Sequence, residues 1–192
     1  MKGLKNVKVY IKNVGIVKTN IGIENGRIAY IGNEENIEPI FETDGIVVPG
    51  FIDEHIHGAG GADAMDGTVE SLQTISEFLA REGTTGFLAT TMTQSPENIT
   101  NALKAVKKVR EKGEYKGAEV LGVHLEGPFI SPKHVGAQPL EYVATPDAEL
   151  FDKYNEASGN SIKIVTLAPE VEGGLGLVKH LSNIGVVASV GH

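Results

Sequence analysis

The stretch "GFIDEHIH" (residues 50–57) predicts a short β-strand, and "TVESLQTISEFLAREG" (residues 68–83) predicts an amphipathic helix that follows it. The apolar residues on one face of this helix are Val69, Leu72, Ile75 and Leu79. Gly83 is typical of a helix end, because glycine readily adopts the backbone conformation required there. A strand followed by a helix is the repeating unit of α/β folds, and this pair therefore guides the interpretation of the remaining sequence.

The same alternation continues to the last residue. Further strands are predicted from "TTGFLATTMT" (84–93), "AEVLGVHLEG" (118–127), "IKIVTLAP" (162–169) and "VVASVGH" (186–192). Further helices are predicted from "SPENITNALKAVKKVREKG" (95–113), "TPDAELFDKYNEASG" (145–159) and "GLVKHLSNIG" (176–185). This α/β pattern predicts a parallel sheet covered by helices, as in a doubly wound sheet or a (β/α)₈ barrel. A glycine-rich nucleotide fingerprint does not open the first helix, which favours the barrel.

Residues 1–50 do not show this alternation of strands and helices and are predicted to form a separate layer of short strands. The segment "IGIENGRIAYIG" (21–32) predicts a hairpin around Asn25-Gly26, the pair that a tight type I′ turn prefers. The segment "GIVVPG" (45–50) is another short apolar run. We therefore expect one domain over residues 1–50 and a second over residues 51–192.

Composition excludes several classes of protein. The chain of 192 residues has no cysteine, which excludes disulfides and thiolate metal sites and is typical of a reducing compartment. A formal net charge of −8 argues against a nucleic-acid partner. The sequence "MKGLKNVKVY" lacks the apolar core of a signal peptide, and no stretch approaches the roughly 20 apolar residues of a membrane span. We expect a cytoplasmic protein.

His55 and His57 are the first candidate metal ligands. Residues i and i+2 of a strand point to the same face, so both imidazoles would project together at the strand's C-terminal end. Two imidazoles placed in this way can hold one metal ion. The following "GAGGAD" (58–63) allows the backbone to approach a ligand closely. The alternative is a pair of packed or exposed histidines.

Glu126 and His192 each end another predicted strand, at the edge where barrel enzymes keep their chemistry. Glu126 would be a metal ligand or a base, and the alternative is a surface glutamate beside a turn. His124 shares the strand parity of Glu126 and is expected to be packed or to support a ligand. His134, in a loop, is expected to face solvent or substrate, and His180 to be structural.

These motifs together resemble a known family. The stretch "VVPGFIDEHIHGAGGADAMD" (47–66) is similar to the first barrel strand of the amidohydrolase superfamily. The stretch "HLEGPFISPKHVGAQP" (124–139) narrows the resemblance to the N-acetylglucosamine-6-phosphate deacetylases. "TLAPE" (166–170) and "SVGH" (189–192) follow in the same order as in that family. The resemblance extends over essentially the whole chain.

The resemblance implies a TIM-type (β/α)₈ barrel and a small β-sandwich domain built from both chain ends. A closed barrel needs roughly 250 residues, so we expect a partial barrel with about the first five strands over residues 51–192. Residues 1–50 would form the N-terminal part of the sandwich. The chain is therefore expected to be the N-terminal half of a longer enzyme, inactive alone and a homodimer when full length.

The resemblance also implies a reaction and a divalent metal, zinc or iron, with one or two ions. The family hydrolyses the N-acetyl group of an amino sugar 6-phosphate substrate, releasing acetate. Glu126 and His192 match metal ligands, while His55 and His57 match a pair that binds a second metal in some members and is replaced in others. The family's proton-shuttling aspartate lies on the last barrel strand, beyond His192, so the catalytic residue stays unassigned.

Ala137 matches a position whose backbone contacts the sugar. Gln138 stands where the family often has histidine, and we expect it to bind substrate as well.

Two alternatives remain open at this point. One is another metal-dependent amidohydrolase, such as a cyclic-amide hydrolase or a deaminase, many of which carry a carboxylated lysine at the end of the fourth strand. Lys163 falls too early in that strand for this role. The other alternative is a catalytically silent half-barrel.

Overall fold

A computed structural model describes residues 1–33 and 36–192 of the chain. It divides into two compact units, Met1–Gly50 and Phe51–His192. No helix in the described ranges is long and apolar enough to cross a bilayer. Each unit is built around its own group of buried apolar side chains.

The first unit is a β-sheet. Its strands are β1 (Lys2–Ile11), β2 (Gly15–Glu24), β3 (Arg27–Gly32), β4 (Glu38–Pro39) and β5 (Ile46–Val47). The spatial order is β3-β2-β1-β4, and β5 also pairs with β1. Its small core consists of Leu4, Val7, Val9 and Ile21. The observed architecture is this one sheet, and the sandwich implied by the resemblance stays a prediction.

The hairpin predicted around Asn25-Gly26 is confirmed. β2 and β3 pair antiparallel on either side of this turn. Asn25 has φ 52° and Gly26 has φ 72°, so both central residues are left-handed, as a type I′ turn requires. Asparagine and glycine tolerate this conformation better than other residues, which explains why the sequence specified the turn locally.

The second unit carries the parallel sheet. Its strands are β6 (Phe51–Ile56), β7 (Gly58–Ala59), β8 (Ala62–Asp63), β9 (Thr84–Thr90), β10 (Glu119–Glu126), β11 (Ile162–Leu167) and β12 (Val187–Val190). Its helices are α1 (Val69–Arg81), α2 (Pro96–Lys112), α3 (Ala148–Ala157) and α4 (Gly174–Asn183). All neighbours in the main sheet are parallel, and β7 and β8 form a separate two-stranded hairpin.

The strand order of the main sheet decides between the two expected architectures. It runs β6-β9-β10-β11-β12, so each strand lies beside the next one along the chain. A doubly wound sheet reverses its order at a switch point, and the described strands contain no such reversal. The α/β fold with a curled, half-barrel sheet of five parallel strands is therefore confirmed.

Local sequence signals fix the helices. The side chains of Thr68, Ser95 and Asp147 each accept a hydrogen bond from a backbone N–H of the first turn of α1, α2 and α3 respectively. The apolar faces of the helices then pack on the sheet. Residues of this core that are at most 1% exposed include Leu72, Phe87, Leu103, Leu125, Val165 and Leu181.

A β-bulge near the end of β6 places the first two histidines. Asp53 pairs with Phe87 and Ile56 pairs with Ala89, so three steps along β6 oppose two steps along β9. Glu54 and His55 are the residues that the bulge contains. Bulges bend a strand locally and re-aim its side chains, and they are common beside active sites.

Candidate metal centre

Three imidazoles at the carboxyl edge of the sheet surround the carboxylate of Glu126. His55 Nε2 lies 3.2 Å and His57 Nε2 lies 3.0 Å from Glu126 Oε2. His192 Nε2 lies 2.9 Å from Glu126 Oε1. The two Nε2 atoms of His55 and His57 are 3.3 Å apart. The structure thus brings together all four of the residues that the sequence predicted as metal ligands.

The sequence folds in this way because each residue ends a parallel strand. His55 lies in β6 and His57 directly follows it, Glu126 is the last residue of β10, and His192 follows β12 by two positions. Parallel strands carry their C-terminal ends to the same edge of a sheet, which is where barrel enzymes place their sites. Glu126 is buried, with only 7% of its side chain exposed, whereas 48% of the His55 side chain is exposed.

Hydrogen bonds fix the orientation of His192 and the backbone of His57. His192 Nδ1 donates to the carbonyl of His134 at 3.2 Å, which leaves Nε2 directed at Glu126. The carbonyl of His57 accepts from Ala64 N at 2.7 Å. Between His57 and Ala64 the chain turns back through the β7–β8 hairpin. A metal-binding histidine is commonly held by its other ring nitrogen in the manner of His192.

His124 lies beneath the cluster and is only 4% exposed. Its Nδ1 donates to the carbonyl of Glu54 at 2.8 Å, and its Nε2 lies 2.8 Å from the hydroxyl of Thr166. Burial lowers the pKa of His124, which favours the neutral ring with Nε2 as the acceptor from Thr166. Both ring nitrogens are therefore occupied, in agreement with the expectation that His124 is packed rather than a ligand.

The electrostatics of the cluster favour an ionised carboxylate. Burial by itself raises the pKa of Glu126, but the hydrogen bond from His57 and the neighbouring imidazoles outweigh it and lower that pKa from 4.5 to about 2. The hydrogen bond to Glu126 in turn raises the pKa of His57 above 6.5, against the opposing effect of burial. The contact with Glu126 thus favours the protonated, cationic form of His57.

The donor set fits a divalent metal ion. His55, His57 and Glu126 each offer one ligand atom, and these atoms lie within 4.8 Å of one another. Glu126 Oε2 is buried, and the imidazole nitrogens of His57 and His55 face it at 3.0 and 3.2 Å, so the three groups could share one ion. Imidazole and carboxylate ligands suit zinc and iron.

The two residues predicted to contact substrate differ in their surroundings. Ala137 is exposed in the loop that follows β10. Gln138 is only 5% exposed, and its Oε1 accepts a hydrogen bond from Thr93 N at 2.6 Å, so this side chain ties the loop to the end of β9. A role of either residue in substrate binding stays a prediction.

The remaining candidates lie away from the cluster or at its margin. His134 is exposed, as expected, and takes part through its carbonyl. His180 Nε2 lies 2.7 Å from Asp152 Oδ1, which joins α4 to α3 and gives His180 a structural contact. Lys163 is exposed, at the second residue of β11.

Sequence reasoning did not identify three supporting contacts. Thr90 Oγ1 accepts a hydrogen bond from Ile56 N at 2.9 Å, and Thr166 contacts His124. Both threonines are at most 5% exposed. The sequence did contain a signal for the two threonines: each is a polar residue near the end of an otherwise apolar strand, in "ATT" (89–91) and "IVTL" (164–167). The third contact, from His124 to the Glu54 carbonyl, left no signal in sequence.

Comparison with known proteins assigns the site to a family. The pattern of the amidohydrolase family matches residues 46–188. The chain belongs to the amidohydrolase family. It is 43% identical, over 98% of its own length and 50% of the relative, to an N-acetylglucosamine-6-phosphate deacetylase of Bacillus subtilis (strain 168). It is 39% identical, over 97% of its length and 50% of the relative, to a protein of the same name from Lysinibacillus sphaericus.

A solved structure extends the similarity to the fold of this amidohydrolase. The N-acetylglucosamine-6-phosphate deacetylase of Thermotoga maritima matches with a TM-score of 0.81 and 32% identity, over 99% of this chain and 48% of the other. The chain spans about half the length of the curated relatives it matches. The similarity to these deacetylases, implied by the sequence motifs, is confirmed.

Proposed function

We propose that this amidohydrolase is an N-acetylglucosamine-6-phosphate deacetylase, which releases acetate and glucosamine 6-phosphate. The observation that carries the proposal is the carboxylate of Glu126 with three imidazole nitrogens within 3.2 Å of it. The similarity to deacetylases over nearly the whole chain supports the same substrate class.

Glu126, His55, His57 and His192 would hold the metal, one or two ions of zinc or iron. A bound divalent ion supplies two things that amide hydrolysis needs, a polarised carbonyl and a water whose pKa is lowered toward about 7. Glu126 is poised for this role because it is already ionised in the folded protein. The hydrogen bond from His192 Nδ1 to the His134 carbonyl keeps Nε2 of that ring available as a ligand atom.

The loop after β10 would position the sugar. The exposed backbone at Ala137 is available for a hydrogen bond to substrate, and Gln138 holds this loop against the end of β9 through Thr93. Gln138 would then act on the substrate through the position of the loop and through its own amide nitrogen. Holding the acetamide group in a fixed orientation is itself a large contribution to rate.

A cyclic-amide hydrolase or a deaminase is the rival function, and it is less well supported. A carboxylated lysine would have to stand at the end of β11, where the chain has Thr166 and Leu167, and Lys163 is exposed near the start of that strand. Glu126 offers the buried carboxylate instead.

We also propose that the protein acts in the cytoplasm, because a sugar phosphate is retained inside the cell by its charge. We propose in addition that it forms a homodimer.

The test uses the protein expressed from its complete coding sequence, stripped of metal and reloaded with zinc or iron. We expect acetate release from N-acetylglucosamine 6-phosphate, weaker release from the sugar without its phosphate, and none from a cyclic amide. The galactosamine epimer is assayed in parallel to define the sugar. Glu126→Gln should abolish the metal-dependent activity, whereas the exposed Glu141→Gln should retain it. Turnover of the cyclic amide but not of the sugar phosphate would refute the proposal.

A further inference from the structure

Two side chains help to hold the segment that carries His55 and His57, beside its backbone pairs. In the bulge of β6, Glu54 and His55 together stand opposite Leu88, so the regular pairing with β9 is interrupted there. The carbonyl of Glu54 accepts from His124 Nδ1 at 2.8 Å, and Ile56 N donates to Thr90 Oγ1 at 2.9 Å. Side chains from β10 and β9 thus hold the two peptide groups that flank His55.

The contact from His124 is itself directed by a second strand. Thr166, in β11, lies 2.8 Å from His124 Nε2, and its hydroxyl can donate only when that nitrogen is an acceptor. This contact leaves the proton on Nδ1, facing the carbonyl of Glu54. The ring of His124 also packs edge-on against that of His55, with centroids 4.7 Å apart and an interplanar angle of 70°.

We infer that His124 is a positioning residue for the metal ligands of β6. It fixes the peptide between Glu54 and His55, and Thr166 fixes His124, so that the histidine pair is directed toward Glu126 before any metal binds. The inference rests on the proposed function only in taking His55 and His57 as ligands, and it concerns metal binding rather than turnover. Contacts of this kind that support ligands from behind typically change metal affinity by about 10- to 100-fold when they are removed.

The experiment measures the zinc affinity of the protein from its complete coding sequence by competition with a chromophoric chelator. Cobalt(II) absorption is recorded for the same variants, since it reports ligand geometry. His124→Leu removes both contacts and should weaken zinc binding by about 10-fold or more. His124→Asn can still donate from its amide near the position of Nδ1, so it should restore most of the affinity and the wild-type cobalt spectrum. Thr166→Val keeps the volume, removes the orienting hydroxyl and should weaken binding by less than His124→Leu.

Val123→Ala is the matched control. Val123 is fully buried on the neighbouring position of β10 and lies in the apolar core of the second unit. Its truncation should lower stability in urea while zinc affinity and the cobalt spectrum stay unchanged. This separates a loss of stability from a loss of positioning.

Wild-type zinc affinity and cobalt spectra in both His124→Leu and Thr166→Val would overturn the inference. If His124→Leu does not fold, Thr166→Val decides alone, and unchanged affinity there overturns it. An equal loss in His124→Leu and His124→Asn would also overturn it, because the contact with Glu54 would then be irrelevant. Failure of the proposed function would appear separately, as wild-type protein that binds zinc with these differences but releases no acetate.

Discussion

Replacing Glu126 with glutamine should remove the charge at the centre of the cluster while leaving its volume. The pKa of Glu126 falls from 4.5 to about 2 on folding, a difference worth about 3 kcal/mol of stability in the metal-free protein. Because the folded pKa is the lower one, this contribution is complete above about pH 4.5 and is lost as the pH falls toward 2. About 2 kcal/mol should already be lost at pH 3.

The pairing should also weaken at high pH. The hydrogen bond to Glu126 raises the pKa of His57 above 6.5, so its contribution is complete below that value and is lost as the pH rises through the folded pKa. Without metal, the stability difference between wild type and Glu126→Gln should therefore be largest between about pH 4.5 and 6.5. Stabilisation by zinc should instead increase with pH, because the ligands must be deprotonated to bind the ion.

The assay is urea unfolding of wild type and Glu126→Gln at pH 3, 5.5 and 8, with EDTA and with zinc. The exposed Glu141→Gln serves as the control and should follow wild type within about 0.5 kcal/mol at each pH. A stability difference between wild type and Glu126→Gln that does not change between pH 5.5 and pH 3 would show that the carboxylate is not held by the imidazoles. Equal stabilisation of the two proteins by zinc would show that Glu126 is not a ligand.

Three further predictions concern the cluster, the core and two glycines. Zinc affinity should rise as the pH increases from about 5.5 to 8, because a proton on His57, whose pKa is raised, competes with the ion; zinc titrations at several pH values that give one affinity would contradict this. Phe87→Ala should lower the free energy of unfolding in urea by about 3–5 kcal/mol, since Phe87 is fully buried in the core; a loss below about 1 kcal/mol would be inconsistent with that packing. Gly26→Ala should lower stability by about 1–2 kcal/mol because φ is 72° there, whereas Gly176→Ala, in α4 and in open space, should raise it by about 0.5–1 kcal/mol. The same denaturation series measures both glycine variants, and two shifts of equal sign would refute the conformational argument.

The elements of the second unit could be predicted because their signals are local. Caps such as Thr68 and Ser95, and the spacing of apolar residues in α1 and α2, are written in short stretches of sequence. The parallel order followed from the alternation of strands and helices. The convergence on Glu126 followed from strand parity and from the shared carboxyl edge, both of which need only the strand assignments.

Other features depend on which strands become neighbours, and short-range patterns do not contain that information. The bulge at Glu54 becomes visible only when β6 is aligned with β9. The contact from His124 joins residues 70 positions apart in sequence, and the contact from Gln138 to Thr93 joins residues 45 positions apart. The sequence predicted a substrate contact for Gln138 but gave no sign that its side-chain oxygen accepts a hydrogen bond from Thr93 N.

The bulge in β6 takes His55 out of the regular pairing with β9, and His57 lies just beyond the last residue of that strand. Ladder pairs up to Asp53 and again at Ile56 maintain the sheet, and the histidines contribute side chains whose loss leaves those pairs untouched. Substitutions at positions 55 and 57 should therefore leave the parallel sheet folded. Glu126 has no comparable freedom, because it lies buried at the end of a central strand of the sheet.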